Sequence, residues 1–586
     1  MEKTKKNMEL SHINVSEYLV RFLKEKDIHT VFELQGGMIT FLLDALYRSG
    51  DFNIVNIHHE QAAAFAADAF ARVSGKPGVA LATSGPGATN LITGIGSCYF
   101  DSVPAIFITG QVNINEQKGN KSTRQLGFQE TDIVDITKPI TKKTYAIKSA
   151  KEFPKALEEA YSTSVSGRPG PVLIDIPMNV QLEEIYEKDF ACASSSILLD
   201  SKKDAIAKFF NEFKNVLSKS QRPLVLVGRG VRAAGATDKF IKFIAKYNLP
   251  VVYSLLGIDN IPFGNPNRIG LIGTYGNRWA NYALGNCDLL LVLGSRLDIR
   301  QTGADVKSFS QNKKIFRVDC DEAELHIRFS EYLVLQTDVL PFIEYALTQD
   351  VKFNSKSLGK WIDKISKKKQ QMPDTKELQG IKGINPNIFI HQLSQSSKLA
   401  KVFIADVGNN QMWTAQSIEL KEGQLFLTSG GMGSMGYSLP AAIGASIALK
   451  NKPVVLISGD GGFQTNIQEL QTVVRNKLPI KMIVLNNHCL GMIRQFQDSY
   501  LNSRYIGTVW GYDTPDFVAV AKAYGIDAVS IEKTGEIKKA LEWLWSNPEK
   551  PMLLNVNIDI HTNVYPKLKF GNPITKMEPE LDKNEN

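Results

Sequence analysis

The chain has 586 residues, 43% apolar and 22% charged, an ordinary globular composition with length for three large domains or four of about 150 residues. Lys+Arg 68 against Asp+Glu 60 leaves +8, a weak surplus with only short basic runs at 3–6 and 367–369. No basic stripe is interleaved with aromatics, so no nucleic-acid partner is expected, and near-average glycine and proline exclude a collagen-like or disordered chain.

Five cysteines (Cys98, Cys192, Cys287, Cys320, Cys489) are scattered, with no C-x-x-C pair. A disulfide framework or zinc site is not expected, and a reducing compartment is. The opening MEKTKKNMELSHINVSEYL lacks an apolar h-region, and no apolar run reaches ~18 residues. The expectation is a cytoplasmic, soluble protein with no signal peptide and no membrane span.

Three blocks alternate apolar runs with helical patterns, which predicts α/β architecture: three doubly wound parallel sheets covered by helices. In the first block, 8–181, strands are expected at 79–83, 105–109 and 172–176, with Ala-rich helices at 61–73 and 88–99. A polar linker follows at 181–203. In the second block, 204–350, strands are expected at 223–228, 250–254, 289–293 and 315–319. The Lys-, Ser- and Gln-rich stretch 352–383 reads as a surface linker. In the third block, 385–560, strands are expected at 402–405, 454–458, 481–485 and 552–556. The tail 561–586, with three prolines and a charged end, reads as an extended or disordered arm. The first and third blocks share size and grammar, which is compatible with an old duplication.

The densest chemical signal lies in the third block. An apolar strand ends in Gly459-Asp460-Gly461-Gly462, and the next ends in Asn486-Asn487. Glycines let backbone approach a bulky anion, and a helix beginning near Thr465 would aim its N-terminus at the same place. One carboxylate, one amide oxygen and a backbone carbonyl can hold Mg²⁺ through a ligand's phosphates. GDG alone would be an ordinary turn. Paired with NN after a second apolar strand, it is a site.

Gly431-Met-Gly433-Ser-Met-Gly436 also satisfies GxGxxG after an apolar run. About 20 residues on, no acidic residue closes a second strand as a dinucleotide site requires, so the match is weak. In the first block, Ile57-His58-His59-Glu60-Gln61 opens an Ala-rich helix. Alone, Glu60 would read as a cap or surface charge.

GDG followed by NN resembles the diphosphate and metal motif of thiamine diphosphate enzymes. The resemblance covers nearly the whole chain. HHEQAAAFAADAFARVSGKPGVALATSGPGATNLITG, FQETDIV, TSGGMGSMGYSLPAAIGA, GDGGFQTNIQEL and NNHCLGMIRQFQ are similar to acetolactate (acetohydroxyacid) synthases. It implies thiamine diphosphate and Mg²⁺, with Asp460, Asn487 and the Cys489 carbonyl on the metal. Glu60 would face the aminopyrimidine as the proton-handling acid, its pKa raised by burial. Met435 would prop the cofactor into a bent shape. Further cofactor contacts carry over to Gly37, Pro86, Asn90, Asn409, Gln411, Gly433, Gly459, Gly461, Gly462, Leu490, Gly491 and Met492. Phe128, Gln129, Lys142 and Met492 would line the substrate channel, with Gln129 and Lys142 taking part in catalysis.

The second block resembles the family's flavin domain. Arg229, Arg296 and Arg300 suit a pyrophosphate, and Asp319 suits ribose hydroxyls, which implies a structural FAD. The implied activity is decarboxylation of pyruvate and transfer of the two-carbon unit to a second 2-oxo acid. A homodimer or homotetramer with interfacial active sites, and a possible regulatory subunit, are implied with it. The chain departs from the family's usual pattern at Gln35 (proline), Phe496 (tryptophan), Ile299 (aspartate) and Asn409-Asn410 (Gln-His), and in the longer segment 113–127. These positions belong to the acceptor side or channel. A different acceptor, such as a keto-sugar nucleotide, or plain 2-oxo acid decarboxylation is therefore the alternative reading.

Overall fold

The computed structural model describes residues 12–186, 202–328, 333–351 and 355–580. Part of the 181–203 linker, Cys192 and the first basic run lie outside them. Three six-stranded sheets are present, and every strand pair within them is parallel. Parallel strands covered on both faces need continuous apolar runs, and these strands have them.

The N-terminal sheet holds β1 (Thr30–Leu34), β2 (Asn53–Asn56), β3 (Gly78–Ala82), β4 (Ala105–Gln111), β5 (Lys143–Ala146) and β6 (Pro171–Pro177), in the order β2-β1-β3-β4-β6-β5. The central sheet holds β7 (Pro223–Val227), β8 (Val251–Tyr253), β9 (Arg268–Leu271), β10 (Leu289–Leu293), β11 (Lys314–Asp319) and β12 (Leu333–Gln336), ordered β9-β8-β7-β10-β11-β12. The C-terminal sheet holds β13 (Val402–Ala405), β14 (Leu425–Leu427), β15 (Val454–Gly459), β16 (Ile480–Asn486), β17 (Asp527–Ile531) and β18 (Met552–Asn557), ordered β14-β13-β15-β16-β18-β17. The first and third sheets thus share one strand order, the similarity their sequence grammar suggested. The central sheet has the order of a dinucleotide-binding fold. In each sheet the order reverses beside the first strand, which opens a crevice at the strands' carboxyl ends.

By packing, the chain forms two compact units. One comprises Met1–Ser196, Ser429–Asn451 and Asn466–Asn476; the other comprises Ile197–Thr428, Lys452–Thr465 and Lys477–Asn586. In the first unit, helix Glu60–Ser74 is capped by the His59 ring on the Gln61 amide and ends at left-handed Gly75. Its alanines admit close neighbours. A Cβ on Gly94 would stand 2.2 Å from Ala64 Cβ, and one on Gly444 2.0 Å from the Ala66 carbonyl oxygen.

Four expectations are corrected. The 352–383 stretch is not a plain surface linker: helix Ser355–Gln371 buries Leu358, Trp361 and Ile365 in the central core. That i, i+3, i+7 stripe is hidden by the lysines around it. Over its described residues, 561–580, the tail is packed and not disordered, because Val564, Leu568, Ile574 and Met577 are buried and Leu568 N–H donates to the Thr274 carbonyl at 2.7 Å. The helix expected over 88–99 is two, Pro86–Asn90 and Ile92–Phe100. The helix after β15 begins at Asp460, not near Thr465, where it ends.

Among the described residues no helix is long and apolar enough to cross a membrane. Cys98, Cys287 and Cys489 are free thiols.

Candidate active site

In the first unit the crevice opens between β1 and β3. Gly36 follows β1, and a Cβ there would fall 2.4 Å from Thr83 Cβ, so glycine lets the two turns touch. Met38 N–H donates to Thr83 Oγ1 at 3.2 Å. Gly37 begins the short helical turn that continues the chain. Glu60, the first residue of its helix, is buried, and its Oε2 accepts from Asn90 Nδ2 at 2.9 Å. A Cβ on Gly87, next to Pro86, would lie 3.2 Å from Glu60 Oε1. Gln129 sits in the left-handed region (φ 65°), with its Cβ 2.9 Å from where a Gly85 Cβ would be. Glu60, Pro86, Asn90 and Gln129 thus gather at the carboxyl edge of this sheet, near Gly37.

The turn that delivers Glu60 is anchored by a residue from a distant stretch of the chain. Glu469 is fully buried and accepts from His58 N–H at 3.0 Å and from the Thr472 hydroxyl at 2.7 Å. Burial raises its pKa, and the Thr472 and His58 bonds oppose the rise.

Lys142 lies elsewhere. Its N–H pairs with the Pro171 carbonyl just before β5, at the amino-terminal edge of the sheet, and its Nζ donates to the Ser166 carbonyl at 2.6 Å. Phe128 is 79% exposed. Gly433 and Met435 stand in the loop before helix Ser438–Ala448, with Gly433 at φ 66° and Met435 partly exposed.

In the second unit, the ends of β13, β15 and β16 converge. Asp460 directly follows β15 and is buried. Its Oδ1 accepts from Gly461 N–H at 2.8 Å, and its Oδ2 has no donor in good hydrogen-bonding geometry, although the His488 and Cys489 amides and the Tyr512 hydroxyl lie close by. Burial pushes its pKa up to about 7, opposed by the backbone N–H groups of Gly461, Cys489 and His488 and by the Tyr512 hydroxyl. Tyr512, which the sequence reading missed, has its own pKa raised by burial and then by Asp460. Asn409 follows β13, and both its side-chain polar atoms are buried without partners. A Cβ on Gly491 would stand 2.5 Å from Asn487 Nδ2 and 2.6 Å from Asn409 Nδ2, so glycine lets the two amides meet. One on Gly459 would lie 3.2 Å from Asn410 Oδ1, and one on Gly462 2.4 Å from Asp406 Oδ1.

Cys489 is buried, and burial pushes its thiol up to about 11. Leu490 caps helix Gly491–Tyr500, Met492 packs on the adjoining core, and Gln411 Nε2 donates to the Thr428 hydroxyl at 2.7 Å.

A carboxylate with one open oxygen and an unpartnered amide, walled by glycines, fit a hard cation and a polyanion. Among the described residues no cluster of three His, Cys, Asp or Glu could hold a metal. A set of one carboxylate, one amide and one backbone carbonyl is of another kind.

At the central crevice, Gly228 and Gly230 pack on Gly294: a Cβ on Gly228 would meet the Gly294 oxygen at 2.2 Å. Arg229 follows β7, Arg296 follows β10, and Asp319 ends β11, so adjacent strands bring all three to one edge. Arg296 pairs with Asp298 at 3.5 Å. Arg300 is exposed, and its carbonyl accepts from Thr274 N–H at 2.7 Å.

Comparison with known proteins identifies the family. Residues 13–136 match the thiamine pyrophosphate enzyme N-terminal TPP binding domain, 210–345 the central domain, and 406–556 the C-terminal TPP binding domain. The chain is 36% identical over 577 residues to acetolactate synthase isozyme 2 large subunit of Escherichia coli, covering 97% of this chain and 100% of that protein. It is 36% identical over 560 residues to acetolactate synthase large subunit of Lactococcus lactis, covering 95% and 94%. It is 35% identical over 583 residues to a probable acetolactate synthase large subunit of Methanocaldococcus jannaschii, covering 97% and 96%.

Proposed function

The chain belongs to the thiamine pyrophosphate enzymes and, among them, to the acetolactate synthase large-subunit family, and on that premise we propose that it decarboxylates pyruvate and transfers the two-carbon unit to a second 2-oxo acid. It is a thiamine diphosphate-dependent, carbon–carbon bond-forming transferase. The observation that carries the reading is the buried, unpartnered polar set of Asp460 Oδ2 and the Asn409 amide at one carboxyl edge. Such atoms are costly to bury unless a ligand completes them.

Asp460, Asn487 and the Cys489 carbonyl would hold Mg²⁺, and Gly459, Gly461, Gly462, Asn409 and Gly491 would accommodate the diphosphate. Bound thiamine diphosphate supplies the electron sink that lets carbon dioxide leave pyruvate. Glu60 would exchange a proton with the aminopyrimidine ring, and Asn90, which donates to its Oε2, would fix the orientation of that carboxyl. Gln129, held against Gly85, faces the substrate. Lys142 acts on the substrate channel only if a second copy of the chain brings it there. A homodimer or homotetramer that shares active sites between copies is therefore part of the proposal. The relatives' names describe large subunits, so a smaller regulatory partner is proposed as well.

The central crevice is assigned to FAD in a structural role. Arg229, Arg296 and Arg300 would meet the pyrophosphate and Asp319 a ribose hydroxyl. The strand order and the Gly228–Gly294 contact support this. Heat denaturation should release one flavin per chain.

Incubation with pyruvate, thiamine diphosphate and Mg²⁺ should yield acetolactate and carbon dioxide in equal amounts. No carbon dioxide would reject the assignment, and free acetaldehyde as sole product would make the protein a simple decarboxylase. The exposed segment 113–127, tied by Glu130 to the Lys118 and Leu126 amides, favours a second reading with another acceptor such as a keto-sugar nucleotide. Pyruvate consumption that rises sharply with such a ketone would select it.

A further inference from the structure

Three ionisable side chains are buried together in the first unit. The Arg72, Asp68 and Asp101 side chains are 2%, 0% and 0% exposed. Arg72 Nε stands 2.7 Å from Asp68 Oδ1, and its Nη2 stands 2.9 Å from Asp101 Oδ2. Buried ion groups of this kind are seldom retained for stability, because apolar replacements of similar volume often do as well. Their other bonds indicate what they do. Asp101 Oδ2 accepts from Gly430 N–H at 2.9 Å, and its Oδ1 accepts from Gly431 N–H at 2.7 Å. Asp68 Oδ1 accepts from the Tyr437 hydroxyl at 2.7 Å.

One carboxylate therefore grips the start of the loop 430–437 and the other its end, and Arg72 joins them. The loop has no ladder of its own, and Gly433 (φ 66°) and Gly436 (φ 83°) leave it pliant. Gly431 is pressed on its anchor: a Cβ there would lie 2.6 Å from Phe100 Cβ. Between the grips, only the tip projects, with Met432 42% and Met435 38% exposed.

We infer that Asp101, Asp68 and Arg72 are positioning residues that clamp the 430–437 loop so that Met435 meets the bound cofactor. The inference rests on the reading of Met435 given above. It predicts a specific dependence: breaking the clamp weakens cofactor binding only while Met435 is there to be positioned.

The test titrates thiamine diphosphate with saturating Mg²⁺ into the full-length protein by intrinsic fluorescence, with thermal melting in parallel. Met435→Ala and Asp101→Asn should each weaken binding about tenfold, and the double variant should be no more than about twofold weaker than either. Tyr437→Phe removes only the hydroxyl and keeps the ring, so it serves if Asp101→Asn fails to fold. Its loss of affinity, about threefold, should vanish in the Met435→Ala background. Additive losses, or Asp101→Asn and Tyr437→Phe with wild-type affinity, would overturn the clamp alone. Met435→Ala with wild-type affinity would overturn the role of Met435, and the clamp with it.

Discussion

Asp460 keeps one buried oxygen unpaired, and Asn409 keeps both polar atoms unpaired. Removing the Asp460 charge should therefore stabilise the cofactor-free protein while destroying its ligand site. Asp460→Asn should raise stability by about 1–3 kcal/mol at pH 8 without cofactor, by denaturant titration, and lose Mg²⁺-dependent cofactor affinity. Glu60 accepts from Asn90 through a geometry that glutamine can keep. Glu60→Gln should fold normally and lose at least about a hundredfold in turnover, measured as acetolactate formed.

Asp175 offers a separate reading of pH. Burial pushes its pKa up to about 7, opposed by bonds from Thr109 and Gln111, with Asp132 raising it slightly. The folded value exceeds the unfolded one, so the contribution is full below pH ~4 and is lost as pH rises through 7. Its swing is on the order of 4 kcal/mol. Asp175→Asn should flatten the stability profile between those limits, checked by denaturant melts across pH. An unchanged slope would place the titration elsewhere.

Helix Glu60–Ser74 does two tasks at once. Its first residue enters the site, while its alanines let Gly94 and Gly444 approach backbone to backbone. Gly444→Ala would drive a methyl to 2.0 Å from the Ala66 oxygen, a contact that only helix displacement relieves. A loss of about 2–4 kcal/mol is expected. Because the displaced helix carries Glu60, turnover should fall with it, measured after equalising folded protein. The Ala-rich pattern announced close packing. Which glycines answered it was not legible, because they lie about 30 and 380 positions away. The helix Ser355–Gln371 teaches the converse. Leu358, Trp361 and Ile365 form one stripe, but the lysines dominate its composition, and composition concealed periodicity.

Across the whole molecule, one strand order serves the first and third sheets, and another serves the second. Each places its chemistry at a carboxyl-end crevice. The tail belongs to this architecture: it buries Val564, Leu568, Ile574 and Met577, and Arg278 Nη1 donates to the Met577 carbonyl at 3.3 Å. Deleting residues from 562 onward should cost roughly 5 kcal/mol or more from lost apolar burial. Guanidinium melts should show it, together with a lower flavin content per chain. A truncated protein with unaltered melting would mean that the tail merely rests on the surface.

Sequence alone determined the three α/β blocks, most of the strands, the GDG and NN pair, and Glu60 at the head of its helix. These are local: apolar runs, turn glycines and caps act within a few residues. Only tertiary structure decided the rest. It set strand order, brought Glu469 beneath the Glu60 turn and joined Asp101 to the 430–437 loop. It also placed Lys142 at the opposite edge from Glu60 and left Asp460 with an open oxygen. Those outcomes depend on which distant segments desolvate one another, and burial, not residue type, sets whether a carboxylate is an ordinary charge or a site.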